Sequence, residues 1–168
     1  SSHTNNRVTH HNYEINNFVL AARKLAEKKI YTFRMGAKVE KKFNVDSEFV
    51  IDYANSNFRS ELMDIYLSSK CIFYISTGTG ANGMAMVFRK PMVDLNANVH
   101  HLYTNFKNSI LLSKKYFVKN QNRFLTLKEI LELDQEKYHR KEKLDEIGIK
   151  MIDCTPQEIC DAVIEALK

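Results

Sequence analysis

Apolar positions along this chain recur with two periods, and stretches of one alternate with stretches of the other. Over residues 13–29, Phe18, Leu20, Ala21, Ala22 and Leu25 fall on one face of a predicted helix. Its last turn is basic, as the helix dipole prefers. Residues 30–34 are rich in β-formers and stop at Gly36, so they predict a strand, and residues 49–54 predict a second. Ser56 or Asn57 can cap a helix over residues 58–69, with Leu62, Ile65, Tyr66 and Leu67 as its apolar face. Residues 71–76 are apolar up to Ser76, the pattern of a strand buried on both faces at the centre of a parallel sheet. Residues 77–83 turn the chain into a helix over 84–89, stopped before Pro91, and residues 91–95 predict the next strand.

The pattern weakens over residues 96–124, where only 110–112 read as a short strand. Thr126 with Glu129 predicts a capping box opening a short helix over 126–133, and residues 149–152 predict an edge strand. Thr155, Pro156 and Glu158 cap a last helix with proline in its first turn. Neither an internal repeat nor a low-complexity segment is present. Strand and helix alternate with crossovers long enough for βαβ units, which predicts α/β architecture: a parallel sheet of about four to six strands flanked by helices. The chain opens with a helix and no strand before it, so the first strand of such a domain is expected upstream of Ser1.

Composition narrows this picture only slightly. A length of 168 residues suits one domain. Hydrophobic and charged shares of 44% and 27% exclude a disordered tail and a collagen-like repeat. A net charge of +5 is compatible with an anionic partner without requiring one. Residues 135–146 interleave both signs, the pattern of a solvated helix face rather than a nucleic-acid patch. The 8 Tyr and 10 Phe are spread through apolar segments as core residues and form no RNA-binding signature. No apolar run approaches the roughly 20 residues of a membrane-spanning helix, and the start is polar rather than signal-like. Cys71, Cys154 and Cys160 match no zinc or redox spacing and predict idle thiols in a reducing, cytoplasmic compartment. His10-His11 and His100-His101 are adjacent pairs whose side chains diverge, so loop positions are expected rather than a metal site.

Candidate chemistry gathers at the bend after residues 71–76. Gly78 and Gly80 allow close backbone approach, and free amides at the start of the following helix favour phosphate. Thr77, Thr79 and Asn82 add donors. The alternative at this point is a plain structural turn. Gly78, Gly80 and Gly83 match a dinucleotide fingerprint in form, yet they follow the third strand, and Asp94 stands too close to serve as the ribose-binding acid. Arg34, ending the first strand, can hold a diphosphate or pair with a surface acid. Asp52 and Tyr53, ending the second, can meet a ribose or base, or else cap a turn and pack in the core.

The blocks Arg34-Met35-Gly36, Ile51-Asp52-Tyr53-Ala54, residues 59–67, residues 71–80 and Lys90-Pro91 follow one another in that order. They resemble a family of bacterial glycosyltransferases with a GT-B-like fold, over about residues 5–166. The match is more distant to the nucleotide-sugar half of fucosyltransferase-like and heptosyltransferase-like enzymes. The resemblance implies two facing Rossmann-like domains, with this chain as the C-terminal half: one three-layer domain, residues 1–168, lacking the N-terminal acceptor domain. It implies a nucleotide-diphosphate sugar as donor substrate, no cofactor or metal, and a glycan or other acceptor in surface-polysaccharide assembly. No nucleic-acid partner is expected, and peripheral membrane association of the full-length protein is left open. Carried over by position, Thr77, Gly78, Thr79 and Gly80 become the diphosphate loop, with Asn82 beside it. Arg34 becomes a phosphate or sugar contact, and Asp52 and Tyr53 base or ribose contacts. The loop reads Thr-Gly-Thr-Gly where related loops commonly carry Ser-Gly or Ser-Ser. Asp64 is expected to fix packing or a loop by hydrogen bonds. The catalytic base usually comes from the other domain of such enzymes, so none is named here.

Two other classes compete with this expectation. One is a non-catalytic nucleotide-binding or interaction module in which the glycine loop merely turns the chain. The other is a nicotinamide-dependent oxidoreductase, weakened by the misplaced fingerprint.

Overall fold

The computed structural model of the chain describes residues 14–37, 39–78, 80, 82–97, 108–134 and 141–168. They form a mixed α/β structure built around parallel strands. Helix α1 (Val19–Glu27) follows a 3-10 turn at Ile15–Phe18 and buries Ala21, Ala22 and Leu25. Strands β1 (Thr32–Phe33) and β2 (Val50–Ile51) pair in parallel. Helix α2 (Glu61–Lys70) is capped by Ser60, whose hydroxyl accepts the Met63 amide at 3.2 Å. Acidic Glu61 and Asp64 in its first turn and Lys70 in its last complement the helix dipole.

A second parallel sheet follows, in the order β3 (Tyr74–Ser76), β4 (Met92–Ala97), β5 (Ile110–Ser113), with helix α3 (Asn82–Val87) between β3 and β4. Every residue of β4 is buried. One face of this sheet is covered by α1 and by the last helix, α6 (Pro156–Glu165). Val93 and Leu95 of β4 there meet Ala21 and Leu25 of α1 and Ile159 and Val163 of α6. Burying each of the larger aliphatic side chains contributes roughly 1.5–3 kcal/mol, so this contact is the main adhesive of the parallel part.

The remaining strands form an antiparallel sheet in the order β7 (Arg123–Phe124), β6 (Lys115–Val118), β8 (Ile149–Ile152). Tyr116, Val118 and Ile149 pack there against Ile130 of helix α4 (Leu127–Glu132) and Leu144 of helix α5 (Lys141–Glu146). The described strands therefore divide into three sheets, where the sequence predicted one parallel sheet of four to six. The difference has local causes. Only Lys114 separates β5 from β6, too short for a parallel crossover. The hairpin joining β6 to β7 turns on Asn122 at φ +48°, with no glycine to announce it. Residues 149–152 do form an edge strand, and both predicted capping boxes are present.

Candidate functional site

Ser76 closes β3 with a buried side chain, and its hydroxyl accepts the Gly78 amide at 3.1 Å. Asp94 stands opposite Ser76 in the β3–β4 register. Gly78 has φ +74°, a left-handed conformation in which a side chain would be strained. A Cβ built on Gly78, Gly80 or Gly83 meets nothing within 4 Å, so packing against described protein atoms does not require glycine at any of the three. Thr77 is half-buried, and Asn82 opens the six-residue helix α3, also half-buried. Thr79 lies outside the described residues, as do His10, His11, His100 and His101.

Asp94 is the residue that sequence reasoning underrated. It sits on the central strand of the β3–β4–β5 sheet, and its Oδ1 is buried without a partner among the described residues. Burial pushes its carboxyl above the usual range, and the Ser76 hydroxyl only partly opposes this. A signal existed in the sequence: Asp94 and Asn96 are polar residues inside a run that is otherwise Met, Val, Leu and Ala. Asn96, at φ +57°, spends its carbonyl oxygen on the Cys154 amide at 2.6 Å. That explains Asn96, whereas Oδ1 of Asp94, opposite Ser76, has no partner among the described residues.

Arg34 and Asp52 end neighbouring strands and face each other as an ion pair, Nη1 to Oδ1 at 3.2 Å, with side chains only 12% and 18% exposed. Nη1 of Arg34 also donates to the Lys41 carbonyl at 2.5 Å. Oδ2 of Asp52 accepts the Phe43 amide at 2.9 Å and the Asn55 side chain at 2.6 Å. Burial alone would raise the Asp52 carboxyl, but those donors and the Arg34 guanidinium together hold it below its ordinary value. The pair fastens the segment after β1 onto the end of β2. Gly36 lets that segment fold closely, since a Cβ there would lie 2.7 Å from the Val39 side chain.

Tyr53 is 0% exposed. Its hydroxyl donates to the Ser60 carbonyl and accepts the Ser60 amide, each at 3.1 Å. Its ring packs on Phe58 at 5.6 Å, so it has no exposed face to offer a base. Asp64 accepts Nη2 of Arg59 at 2.8 Å, and its own carbonyl accepts the Ser68 hydroxyl. That is the packing role its place on the helix suggested.

Of the sequence candidates, Arg34 and Thr77 line one cavity of about 1320 Å³, together with Ser76. Its walls are largely apolar: Ala21, Ala22, Leu25, Phe33, Phe73 and Ile75. Asp52, Tyr53, Gly78, Gly80 and Asn82 are not on it. The structure thus brings Arg34 to Asp52 and groups Ser76, Gly78 and Asp94. It does not gather all the candidates into one pocket. Among the described residues no cluster of His, Cys, Asp or Glu could hold a metal ion. The three cysteines are unpaired, and burial pushes each thiol upward, away from the reactive thiolate. No described helix is long and apolar enough to cross a membrane. Compared with protein-family models, curated proteins and solved structures, the chain finds no match.

Proposed function

We propose that this chain is the nucleotide-sugar-binding domain of a GT-B-type glycosyltransferase, a three-layer Rossmann-like domain forming the C-terminal half of such an enzyme. In this reading it binds a nucleotide-diphosphate sugar, whose glycosyl group passes to a glycan or similar acceptor. One observation carries the reading: a left-handed glycine turn at the carboxyl end of a parallel strand, with open space above Gly78, Gly80 and Gly83. Ligands of open parallel sheets bind at that edge, and a glycine turn there lets a diphosphate approach the backbone closely. Residues 77–80 take the diphosphate, stabilising it as the leaving group when the glycosidic bond breaks. Asp94 is buried opposite Ser76 in the β3–β4 register, and the Ser76 hydroxyl accepts the Gly78 amide and so shapes the turn.

Arg34 has a supporting part, because Asp52 already balances its charge. Tyr53, Asp52 and Asp64 organise the loops behind the edge. The acceptor hydroxyl needs a base, which belongs to the facing domain of such an enzyme. The closed Arg34–Asp52 pair favours one second reading, a non-catalytic nucleotide-binding module.

Calorimetric titration with uridine, guanosine and adenosine diphosphates, their sugar conjugates and nicotinamide cofactors tests the proposal. Binding of a nucleoside diphosphate and its sugar conjugate supports it. Binding of the diphosphate alone favours the module, and binding of neither refutes both.

A further inference from the structure

Among the described residues, β1 and β3 are edges of the two parallel sheets, and both border one cavity. Strands β1 and β3 flank the 1320 Å³ cavity, with Ala21, Ala22 and Leu25 of α1 and Leu67 and Ser68 of α2 completing its walls. The backbone on both sides points into it. Thr32 and Arg34 direct their amides at the Phe49 and Ile51 carbonyls of the β2 side, at 2.8 and 2.9 Å. Tyr74 directs its amide at the Pro91 carbonyl beside β4, at 2.9 Å. In a parallel strand, successive residues turn their amide and carbonyl to opposite neighbours. Phe33 and Ile75 therefore turn theirs away from β2 and β4, into the cavity.

The side chains agree with the backbone. Residues 71–76 have the composition of a strand buried on both faces, yet among the described residues β3 is an edge. Residues 73–75 are only half-buried, Ile72 is 62% exposed, and across the gap Tyr31 is 57% exposed. An apolar, unpaired strand edge of this kind is a template for another strand.

We infer that this gap is a slot for one further parallel strand, and that the strand filling it is the one leading into α1 in the same polypeptide. The size fits. A five-residue strand occupies roughly 800 Å³, from a rise of about 3.3 Å per residue, a strand spacing of about 4.8 Å and a layer of about 10 Å. The direction fits as well, because β1 and β3 each run parallel to their own partner, and both precede a carboxyl-edge turn. A strand before α1 makes α1 the crossover to β1, as α2 is the crossover from β2 to β3. The order becomes β2, β1, slot, β3, β4, β5, a doubly wound sheet whose direction of winding reverses at the slot.

A second copy of the chain fits less well. Two β3 edges related by a two-fold axis would pair antiparallel, leaving β1 uncovered. Residues 1–13 are too polar for a seat between α1 and α2, with Val8 and Tyr13 as their largest apolar residues. The occupant is thus an apolar run upstream of Ser1. The inference stands on the sheet alone and survives if the proposed function fails.

Hydrogen exchange on residues 1–168, compared with the natural polypeptide extended upstream of Ser1, tests it. The Phe33 and Ile75 amides should exchange quickly in the shorter chain and at least about 100-fold more slowly in the longer one, as sheet amides do. Phe33→Pro removes a slot-facing amide while sparing the Thr32 and Arg34 bonds to β2. It should leave the shorter chain folded by circular dichroism and abolish the added protection of Ile75 in the longer one. Four results would overturn the inference: equal exchange in both chains, loss of protection on deleting residues 1–13 from the shorter chain, protection appearing only with dimerisation, or a gene product that begins at Ser1.

Discussion

Gly78 and Gly80 look alike in the sequence and differ in the structure, and the difference makes one of them the cleaner probe. Gly78 sits at φ +74°, so Gly78→Val is expected to cost about 1–3 kcal/mol of stability from backbone strain alone. Gly80 has no left-handed backbone and open space around its Cα. Gly80→Val should therefore unfold in denaturant at the parent's midpoint while losing affinity for a nucleoside diphosphate. Unchanged affinity in a folded Gly80→Val protein would remove residues 77–80 from the proposed site. Arg34→Ala is a poorer probe, because it strands the Asp52 carboxylate and the Lys41 carbonyl and so carries its own stability loss. Asp94 has a pH signature of the opposite sign to Asp52. Its folded-state pKa is raised, so the folded protein holds its proton longer than the unfolded chain, and stability falls as pH rises through that interval. Asp94→Asn removes the penalty: the variant should melt higher than the parent at pH 7, and its advantage should shrink toward pH 4. Parallel melting curves across that range would show that the Asp94 carboxylate is not penalised in the folded protein. Asp52, with a lowered pKa, contributes stability above its ordinary value and loses it as pH falls.

At the scale of elements, what was legible in the sequence is what is decided within a few residues. Both capping boxes could be read because Thr126 with Glu129 and Thr155 with Glu158 are complete local devices. The second also has a tertiary function that sequence could not show: Glu158 accepts Lys115 of β6 at 2.7 Å and ties α6 to the antiparallel sheet. The Lys115 ammonium, the Thr155 amide and the Thr155 hydroxyl draw the Glu158 carboxyl down to about 2. Thr155→Ala should cost about 1 kcal/mol by thermal unfolding at pH 7, the usual worth of such a cap. The depressed Glu158 makes part of that contribution present above pH about 4.5 and lost toward pH 2, so the cost should shrink at pH 3. A cost that stays constant between pH 7 and pH 3 would detach the cap from the Glu158 charge. Strands were less legible. Residues 49–54 read as one strand, but only Val50–Ile51 are extended, because Tyr53–Asn55 turn so that the Tyr53 hydroxyl can reach Ser60. The hairpin of β6 and β7 was missed because its left-handed turn residue is Asn122.

At the scale of the whole molecule, the alternation of strand and helix gave the parallel α/β character, while sheet membership depended on partners distant in sequence. β8 could be seen as an edge strand, but not as antiparallel to β6, since that choice rests on Tyr116, Val118 and Ile149 meeting Ile130 and Leu144. The candidate site was legible in the same uneven way. Its glycine turn is local and was found, whereas the burial of Tyr53 and the closure of Arg34 on Asp52 depend on neighbours the sequence does not name. These placements bear on what residues 1–168 can do alone. In the proposed reading the Gly78 turn takes the diphosphate, but among the described residues the acids near that edge are spent or poorly suited to deprotonate an acceptor. Asp52 is saturated by three donors, Asp64 is held by Arg59, and Asp94 is buried behind Ser76. A base that must meet an acceptor hydroxyl needs exposure and an unspent lone pair. The chain should accordingly bind a nucleoside diphosphate while giving no glycosylated product from the corresponding nucleotide sugar, as followed by mass spectrometry of the acceptor. Transfer by residues 1–168 alone would mean that the catalytic base lies within this chain.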